Sequence, residues 1–167
     1  MWASPLLAYL IWTSSTARVC LRRGHAAATF PKVLRLTPRV HAEMVGHSYE
    51  CLPEEACGLL GGYADAEKAL VCYRTTNIAH SAKLYTVDPK EYLHADRDAE
   101  GRGMTILGVF HSHTHTLAYP SPTDVAQAPD PTWHYVLVSL ADEAPVVRSY
   151  RIVDGKITEE PVVLESR

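Results

Sequence analysis

The hydrophobic pattern of the chain changes its period several times, which predicts helices and strands in alternation. A first helix is predicted from Thr37, which can cap it, and Pro38, which suits its first turn, to Pro53, which should end it. A second helix is predicted after Asp88 and Pro89, and the glycines at 101 and 103 should stop it. A short third helix is predicted within the segment SPTDVAQAP.

Apolar runs of strand length separate these helices. They are ACGLLGGY, ALVCYRTTNI, MTILGVFHSH and WHYVLVSL, and the last, which is apolar almost throughout, is typical of a central strand. The C-terminal segment PVVRSYRIVDGKITEEPVVL alternates and contains Asp154-Gly155, a two-residue hairpin signal. The order of elements predicts an α/β fold (α+β mixed), with one mixed β-sheet and a helix on each side.

Length and composition favour a single domain. The chain has 167 residues, of which 47% are hydrophobic, and its net charge of -3 includes no basic stripe that would suit a nucleic acid. An apolar run near the N-terminus is not preceded by positive charge and is too short to span a bilayer. We therefore expect residues 1–32 to be an N-terminal extension, disordered or a start-site artefact, residues 33–167 to form the domain, and no membrane contact.

The four cysteines lack the Cys-x-x-Cys spacing of zinc knuckles and redox pairs. Cys57 and Cys72 lie in apolar, strand-like runs, so we expect buried thiols rather than disulfides. Thiols are typical of a reducing compartment, which leads us to expect a cytoplasmic protein.

Three histidines at alternate positions, His111, His113 and His115, follow the strongest predicted strand. Alternate residues share one face of a strand, so His111 and His113 can reach one metal ion, and the third ligand is either His115 or a carboxylate. Same-face neighbours are about 6.6–6.8 Å apart, and three of them would span roughly 13 Å, too far for three metal bonds of about 2 Å. This geometry favours Asp124 over His115.

A second interpretation applies to Ser121 and Asp124. A serine followed three residues later by an acid is also the capping-box pattern of a helix start, which is far commoner than a metal site. The two interpretations are compatible, because a residue in the first turn of a helix can also be a metal ligand.

The segment 111–124, HSHTHTLAYPSPTD, resembles the H-[ST]-H-x7-S-x2-D signature of the JAMM (Mov34/MPN-plus) metalloproteases. That family also has an upstream glutamate, followed by two residues, a glycine and an apolar run. Glu55 matches this second motif, whereas Glu54 is one residue out of frame and is predicted to be a solvated neighbour. The resemblance runs from about residue 34 to about residue 164 and implies a cytidine-deaminase-like JAMM/MPN fold, a mixed sheet curled around and flanked by helices.

The resemblance implies a role for each matching residue. His111, His113 and Asp124 would bind one zinc ion per chain, with a water as the fourth ligand. Glu55 would be the general acid and base for that water, and Ser121 would polarise the substrate carbonyl or stabilise the oxyanion. No other cofactor is implied.

The chain looks most like the small stand-alone bacterial branch of this family. The segment YPSPTD and Asn77-x-Ala79 resemble actinobacterial peptidases that release cysteine from the C-terminal glycine of a ubiquitin-like sulfur-carrier protein in cysteine biosynthesis. The implied partner is such a carrier with a Gly-Gly tail. Two alternatives remain: a broader isopeptidase that removes ubiquitin-like modifiers from lysines, and a non-catalytic binding module of the MPN type.

Overall fold

The computed structural model describes residues 32–165, and the elements named below lie within that range. The predicted extension over residues 1–32 falls outside it, apart from Lys32. The helices are α1 (Pro38–Glu50), α2 (Pro89–Gly101) and α3 (Pro122–Ala126). The strands are β1 (Leu34–Leu36), β2 (Cys57–Tyr63), β3 (Lys68–Thr75), β4 (Thr105–His113), β5 (His134–Ser139), β6 (Val146–Val153), β7 (Lys156–Glu160) and β8 (Val162–Leu164).

The helices begin where their capping residues predict. The Thr37 hydroxyl accepts a hydrogen bond from the Val40 amide at 3.2 Å, and Asp88 caps α2 in the same way. The end of α1 differs from the prediction, because the helix stops at Glu50 and not at Pro53. Leu52 lies in the loop that follows and is 45% exposed.

The eight strands form one sheet in the order β7-β6-β5-β4-β2-β3-β1-β8. The pairs β4/β5, β1/β3 and β1/β8 are parallel, and the other pairs are antiparallel, so the sheet is mixed as predicted. β7 and β8 lie at opposite edges of this order although only Pro161 separates them along the chain. The sheet must therefore curl until its two edges approach each other.

Side chains on the two faces of the sheet form two cores, one against each long helix. Val40 and Met44 of α1 pack with residues such as Leu60 and Phe110, whereas Ala95 of α2 packs on the opposite face. Successive residues of β2, β4 and β5 alternate between these cores, which explains why these strands are apolar almost throughout. The predicted helix on each side of the sheet is confirmed.

The C-terminal hairpin also follows its sequence signal. Asp154 and Gly155 both have positive φ, +49° and +74°, as a two-residue turn between twisted strands requires. The chain continues from the hairpin into β8, which pairs with β1 at the other edge of the sheet. β1 was not predicted as a strand at all. Its three residues are defined by parallel pairing with β3 and β8, which no local pattern reveals.

Cys57 is buried as expected, but Cys72 is only half-buried, at the margin of the core that includes α1. Both are free thiols, as is Cys51. Between residues 32 and 165, no helix is both long enough and apolar enough to span a membrane.

A buried ionic network, which we call the β5 network, closes the curl of the sheet at the start of β5. The His134 ring faces Glu160 at 2.6 Å through Nδ1 and Glu67 at 2.8 Å through Nε2. Arg151 donates to both carboxylates, and the Ser149 hydroxyl donates to Glu160 at 2.7 Å. The network thus joins the β2–β3 turn to β5, β6 and β7.

Candidate active site

The candidate site lies where β4 ends, opposite the start of β2. The two strands are antiparallel, and Cys57 is paired with His111. Continued by two residues, this register places Glu55 beside His113, and alternation turns both side chains to the face that also carries His111. The chain order helix, glutamate, strand thus brings a distant carboxylate to the histidine pair.

His111, His113 and Asp124 come together in space, with one ligand atom from each lying within 4.8 Å of the others. The two Nε2 atoms are 3.2 Å apart, and the Asp124 oxygens lie 3.4 Å from His111 Nε2 and 3.6 Å from His113 Nε2. Atoms that each lie about 2.0–2.1 Å from a tetrahedral zinc ion are about 3.3 Å apart. The spacing of these donors therefore fits a single zinc ion.

Neighbouring groups turn the lone pairs of these ligands inward. His113 Nδ1 lies 2.8 Å from the Leu117 carbonyl and donates to it, which leaves Nε2 as the unprotonated atom. The Ser121 amide donates to Asp124 Oδ2 at 2.7 Å, and Oδ1 is left free. Two imidazole lone pairs and a carboxylate that face one point form a donor set suited to a divalent cation.

The electrostatics of His111 and Asp124 agree with this assignment; for His113, burial acts to lower the pKa, but hydrogen bonds to Asp124 and the Leu117 carbonyl raise it overall. Burial lowers the pKa of His111, which favours the neutral imidazole that a metal requires. Burial acts to raise the pKa of Asp124, but the adjacent rings of His111 and His113 hold that pKa well below its usual range. Asp124 is therefore a carboxylate at neutral pH.

Ser121 and Asp124 also form the capping box that their spacing predicts. The Asp124 amide donates to the Ser121 hydroxyl oxygen at 3.2 Å, while the Asp124 carboxylate accepts from the Ser121 amide. Because the Ser121 oxygen accepts from the backbone, its own proton remains available to a group outside the helix. The cap and the ligand are thus one arrangement, and neither interpretation of the sequence excludes the other.

Glu55 is a buried acid, only 5% exposed, beside these ligands. Burial raises the pKa of Glu55 to about 7, while His113 and Asp124 act on it in opposite directions. A carboxylic acid with a pKa near neutrality can both accept and donate a proton at physiological pH. The out-of-frame Glu54 is more exposed and faces His80 at 3.3 Å, as expected of a solvated neighbour.

His115 lies outside the group of ligands. β4 ends at His113, so the strand alternation that would have kept His115 on the same face stops there, and His115 is exposed. The loop that follows uses its Leu117 carbonyl to orient His113 instead.

A cavity of about 320 Å³ adjoins the histidine pair and is mainly apolar. The ring of Tyr85 forms part of its wall and also stacks on His111, with ring centres 4.3 Å apart and planes 19° apart. The other lining residues include Leu59, Val87, Tyr92, Val109 and Trp133. Tyr85 was not predicted from the sequence, because nothing marks it there except that it is an aromatic residue in a polar loop.

Comparisons with known proteins agree with this geometry. A family model described as prokaryotic homologs of the JAB domain matches residues 37–153, most of the chain. The chain belongs to this family. The predicted membership of the JAMM family and the predicted JAB/MPN fold are therefore confirmed. The predicted class of enzyme, a hydrolase of the JAB peptidase type, is confirmed as well.

Individual relatives of this JAB protein are similar over most of its length. A protein of Mycobacterium tuberculosis named CysO-cysteine peptidase is 44% identical over 120 residues, which cover 71% of this chain and 82% of the relative. A Thermus thermophilus protein named probable TtuB-protein conjugate cleaving protease is 27% identical over 137 residues, which cover 80% of this chain and 86% of the relative. A solution structure of a Desulfitobacterium hafniense protein is similar with a TM-score of 0.74 at 37% identity. The similar region covers 80% of this chain and 94% of that protein.

Proposed function

We propose that this JAB protein is a zinc-dependent hydrolase that cleaves the bond after the C-terminal Gly-Gly tail of a ubiquitin-like sulfur-carrier protein and releases cysteine. The observation that carries the proposal is the inward-facing donor group of His111, His113 and Asp124 with the buried acid Glu55 beside it. When bound there, zinc supplies Lewis-acid activation of water and of the scissile carbonyl.

Glu55 would act as the general base and then the general acid. As a carboxylate it accepts a proton from the attacking water, and as the acid it donates that proton to the leaving amine. Burial, which raises the pKa of Glu55 to about 7, leaves both forms populated near neutral pH. Both transfers are then possible without a second titrating residue.

Ser121 would stabilise the oxygen on which negative charge develops. Its hydroxyl oxygen already accepts from the Asp124 amide, so its proton is free to be donated to the substrate. A side-chain donor at this position contributes typically about 2.7–4 kcal/mol to lowering the barrier. The capping box holds this hydroxyl next to the ligand Asp124.

The shape of the site supports a slender, extended substrate. Glu55, His111 and His113 are almost fully buried, so a scissile bond reaches them most easily within a segment that lacks side chains, such as two glycines. The apolar cavity beside His111 can accept an apolar side chain that precedes them. The similarity to a CysO-cysteine peptidase supports cysteine as the leaving group.

A second candidate is an isopeptidase that removes ubiquitin-like modifiers from lysine side chains of other proteins. The similarity to a protein-conjugate cleaving protease favours this candidate, and the residues would have the same roles. A binding module without catalysis has weaker support, because such a module needs no buried acid beside the metal ligands. For either of these two enzymes we propose a cytoplasmic location, which the free thiols of Cys51, Cys57 and Cys72 support.

The test is the variant Glu55→Gln, with Glu54→Gln as the matched control one residue away. We expect zinc, measured on purified protein, to be retained in both variants, because neither residue is a ligand. Cleavage of a carrier–cysteine conjugate should fall by about 10²–10⁴-fold in Glu55→Gln and stay near wild type in Glu54→Gln. Full activity of Glu55→Gln would exclude this mechanism.

The identity of the leaving group is tested with two substrates that share one carrier. One ends in Gly-Gly-cysteine, and the other is joined through Gly-Gly to a lysine side chain. Faster cleavage of the cysteine conjugate supports the proposal, whereas faster cleavage of the lysine conjugate supports the isopeptidase. Purified protein that binds zinc and cleaves neither would favour the binding module.

A further inference from the structure

Asn77 lies behind Glu55, in the loop that joins β3 to α2, and is only 6% exposed. Its side-chain nitrogen donates to the carbonyl of Glu55 at 2.9 Å and to the carbonyl of Leu84 at 3.0 Å. Its side-chain oxygen accepts from the amides of Ala79 and Thr86, both at 3.0 Å. All the hydrogen-bonding capacity of this amide is thus used by backbone groups.

Only one orientation of the amide satisfies these four contacts, because two carbonyls face one end and two N–H groups face the other. A backbone pairing of Asn77 with Val87 closes the same loop. The hydrogen bonds of the Asn77 side chain therefore add to this backbone pairing and hold the loop together.

The partners of Asn77 lie on both sides of the candidate site. The peptide of Glu55 is held at its carbonyl by Asn77 and at its amide by the Ser81 carbonyl at 2.9 Å. Leu84 and Thr86 flank Tyr85, whose ring stacks on the metal ligand His111. The buried amide of Asn77 thus connects Glu55, on one side of the site, to the loop that carries Tyr85, on the other.

We propose that Asn77 is a positioning residue of the reaction: its amide fixes the peptide of Glu55 relative to the loop that carries Tyr85. The inference rests on the proposed function, in which Glu55 transfers the proton. The side chain of Asn77 bonds to backbone groups and to none of the proposed metal ligands, so it acts through the position of Glu55 relative to this loop. A displacement of about 1 Å at a reacting group can lower the rate by about 10²-fold.

Two substitutions separate the contacts of Asn77. Asn77→Ala removes all of them, whereas Asn77→Asp keeps the acceptor for Ala79 and Thr86 but loses the donors to Glu55 and Leu84. The matched control is Ser81→Ala, which removes one bond of the same loop, from the Lys83 amide to the Ser81 hydroxyl at 3.1 Å. The Ser81 carbonyl that holds the Glu55 amide remains in this control.

We expect kcat for the carrier conjugate to fall by about 10²-fold in both Asn77 variants, with little change in KM, and to stay near wild type in Ser81→Ala. Zinc content should be unchanged in all three. If Asn77→Ala does not fold, Asn77→Asp carries the same comparison. Wild-type kcat in a folded Asn77→Asp would overturn the inference.

The double variant with Glu55→Gln distinguishes positioning from general damage. Because Asn77 acts through Glu55, Asn77→Asp should cause almost no further loss of single-turnover rate when residue 55 is already glutamine. An equal fold-loss in both backgrounds would overturn the inference, since a merely structural role lowers the rate whatever residue is at 55.

Hydrogen exchange supplies a readout that does not depend on activity. The amides of Ala79 and Thr86 should exchange faster in Asn77→Ala but not in Asn77→Asp, which retains their acceptor. Unchanged exchange in Asn77→Ala would refute the role of Asn77 in holding the loop. If the wild-type protein cleaves no conjugate while exchange behaves as expected, the proposed function fails and the structural part of the inference stands.

Discussion

Replacing Glu160 by alanine should destabilise the fold strongly, because it removes the central acceptor of the β5 network. Glu160 is 5% exposed and accepts from His134, Ser149 and Arg151. Breaking a buried ion pair by removing one partner costs about 3–5 kcal/mol, since the remaining group stays buried without its counter-charge. Glu67 still faces His134 and Arg151, so we expect the lower end, about 3 kcal/mol.

Urea unfolding followed by circular dichroism measures this loss. With a denaturant dependence of about 1–3 kcal/mol per molar urea, the midpoint should fall by roughly 1–3 M. The control is Glu159→Ala, the adjacent residue, whose pair with Arg148 is about half exposed on both sides. That variant should lose less than about 1 kcal/mol. Equal losses in the two variants would refute the view that burial makes the network important.

The pH dependence of this difference has a definite sign. Burial acts to raise the pKa of Glu160, but the hydrogen bonds from His134 and Ser149 lower it overall. A carboxylate whose pKa is depressed in the folded state contributes stability above its unfolded pKa of about 4.3, and this contribution is lost as the pH falls through the folded value. The free energy of unfolding of the wild type should therefore exceed that of Glu160→Ala most near neutral pH, and the difference should shrink progressively below about pH 4.

Two further predictions concern the candidate site. His115→Ala should leave the zinc content nearly unchanged and Asp124→Ala should abolish it; zinc retained by Asp124→Ala but lost by His115→Ala would show that the ligand set is wrong. The acidic limb of kcat/KM should follow Glu55, since only its carboxylate accepts a proton, and burial raises its pKa to about 7 before any bound cation lowers it. A pH–rate profile without an acidic limb in the wild type, or with the same limb in Glu55→Gln, would contradict this assignment.

The grouping of the three proposed metal ligands was predictable because their geometry is nearly local. His111 and His113 share a face of one strand, and Asp124 lies in the first turn of the helix that follows. Glu55 is different, because its approach to His113 depends on the pairing of β2 with β4, whose paired residues are 43 to 54 positions apart in sequence. Only the resemblance to a family motif connected it to the histidines before the pairing was known.

Tyr85 and the role of Asn77 could not be predicted, because they depend on how one loop folds back on itself. An asparagine in a polar loop is typical of a turn, and nothing in the local pattern indicates that its amide would reach the Glu55 carbonyl. β1 was missed for a related reason: three-residue strands are defined by their partners. Hydrophobic periodicity reports which face is buried, and it contains no information on which segments meet.

The β5 network and the metal ligands lie at opposite ends of the same parallel strand pair. Gly108 of β4 is paired with His134 of the network, and five residues later His113 is paired with Ser139. A slip of one residue in this register would turn Leu137 and Ser139, the β5 partners of His111 and His113, to the opposite face of the sheet. At Gly108 a Cβ atom would lie 2.1 Å from the His134 carbonyl oxygen, so the strands approach closely there, and only glycine permits it. The close approach and the network together fix the register of β4 against β5 at one end, and the pairing of the proposed zinc ligands His111 and His113 with β5 follows from it at the other.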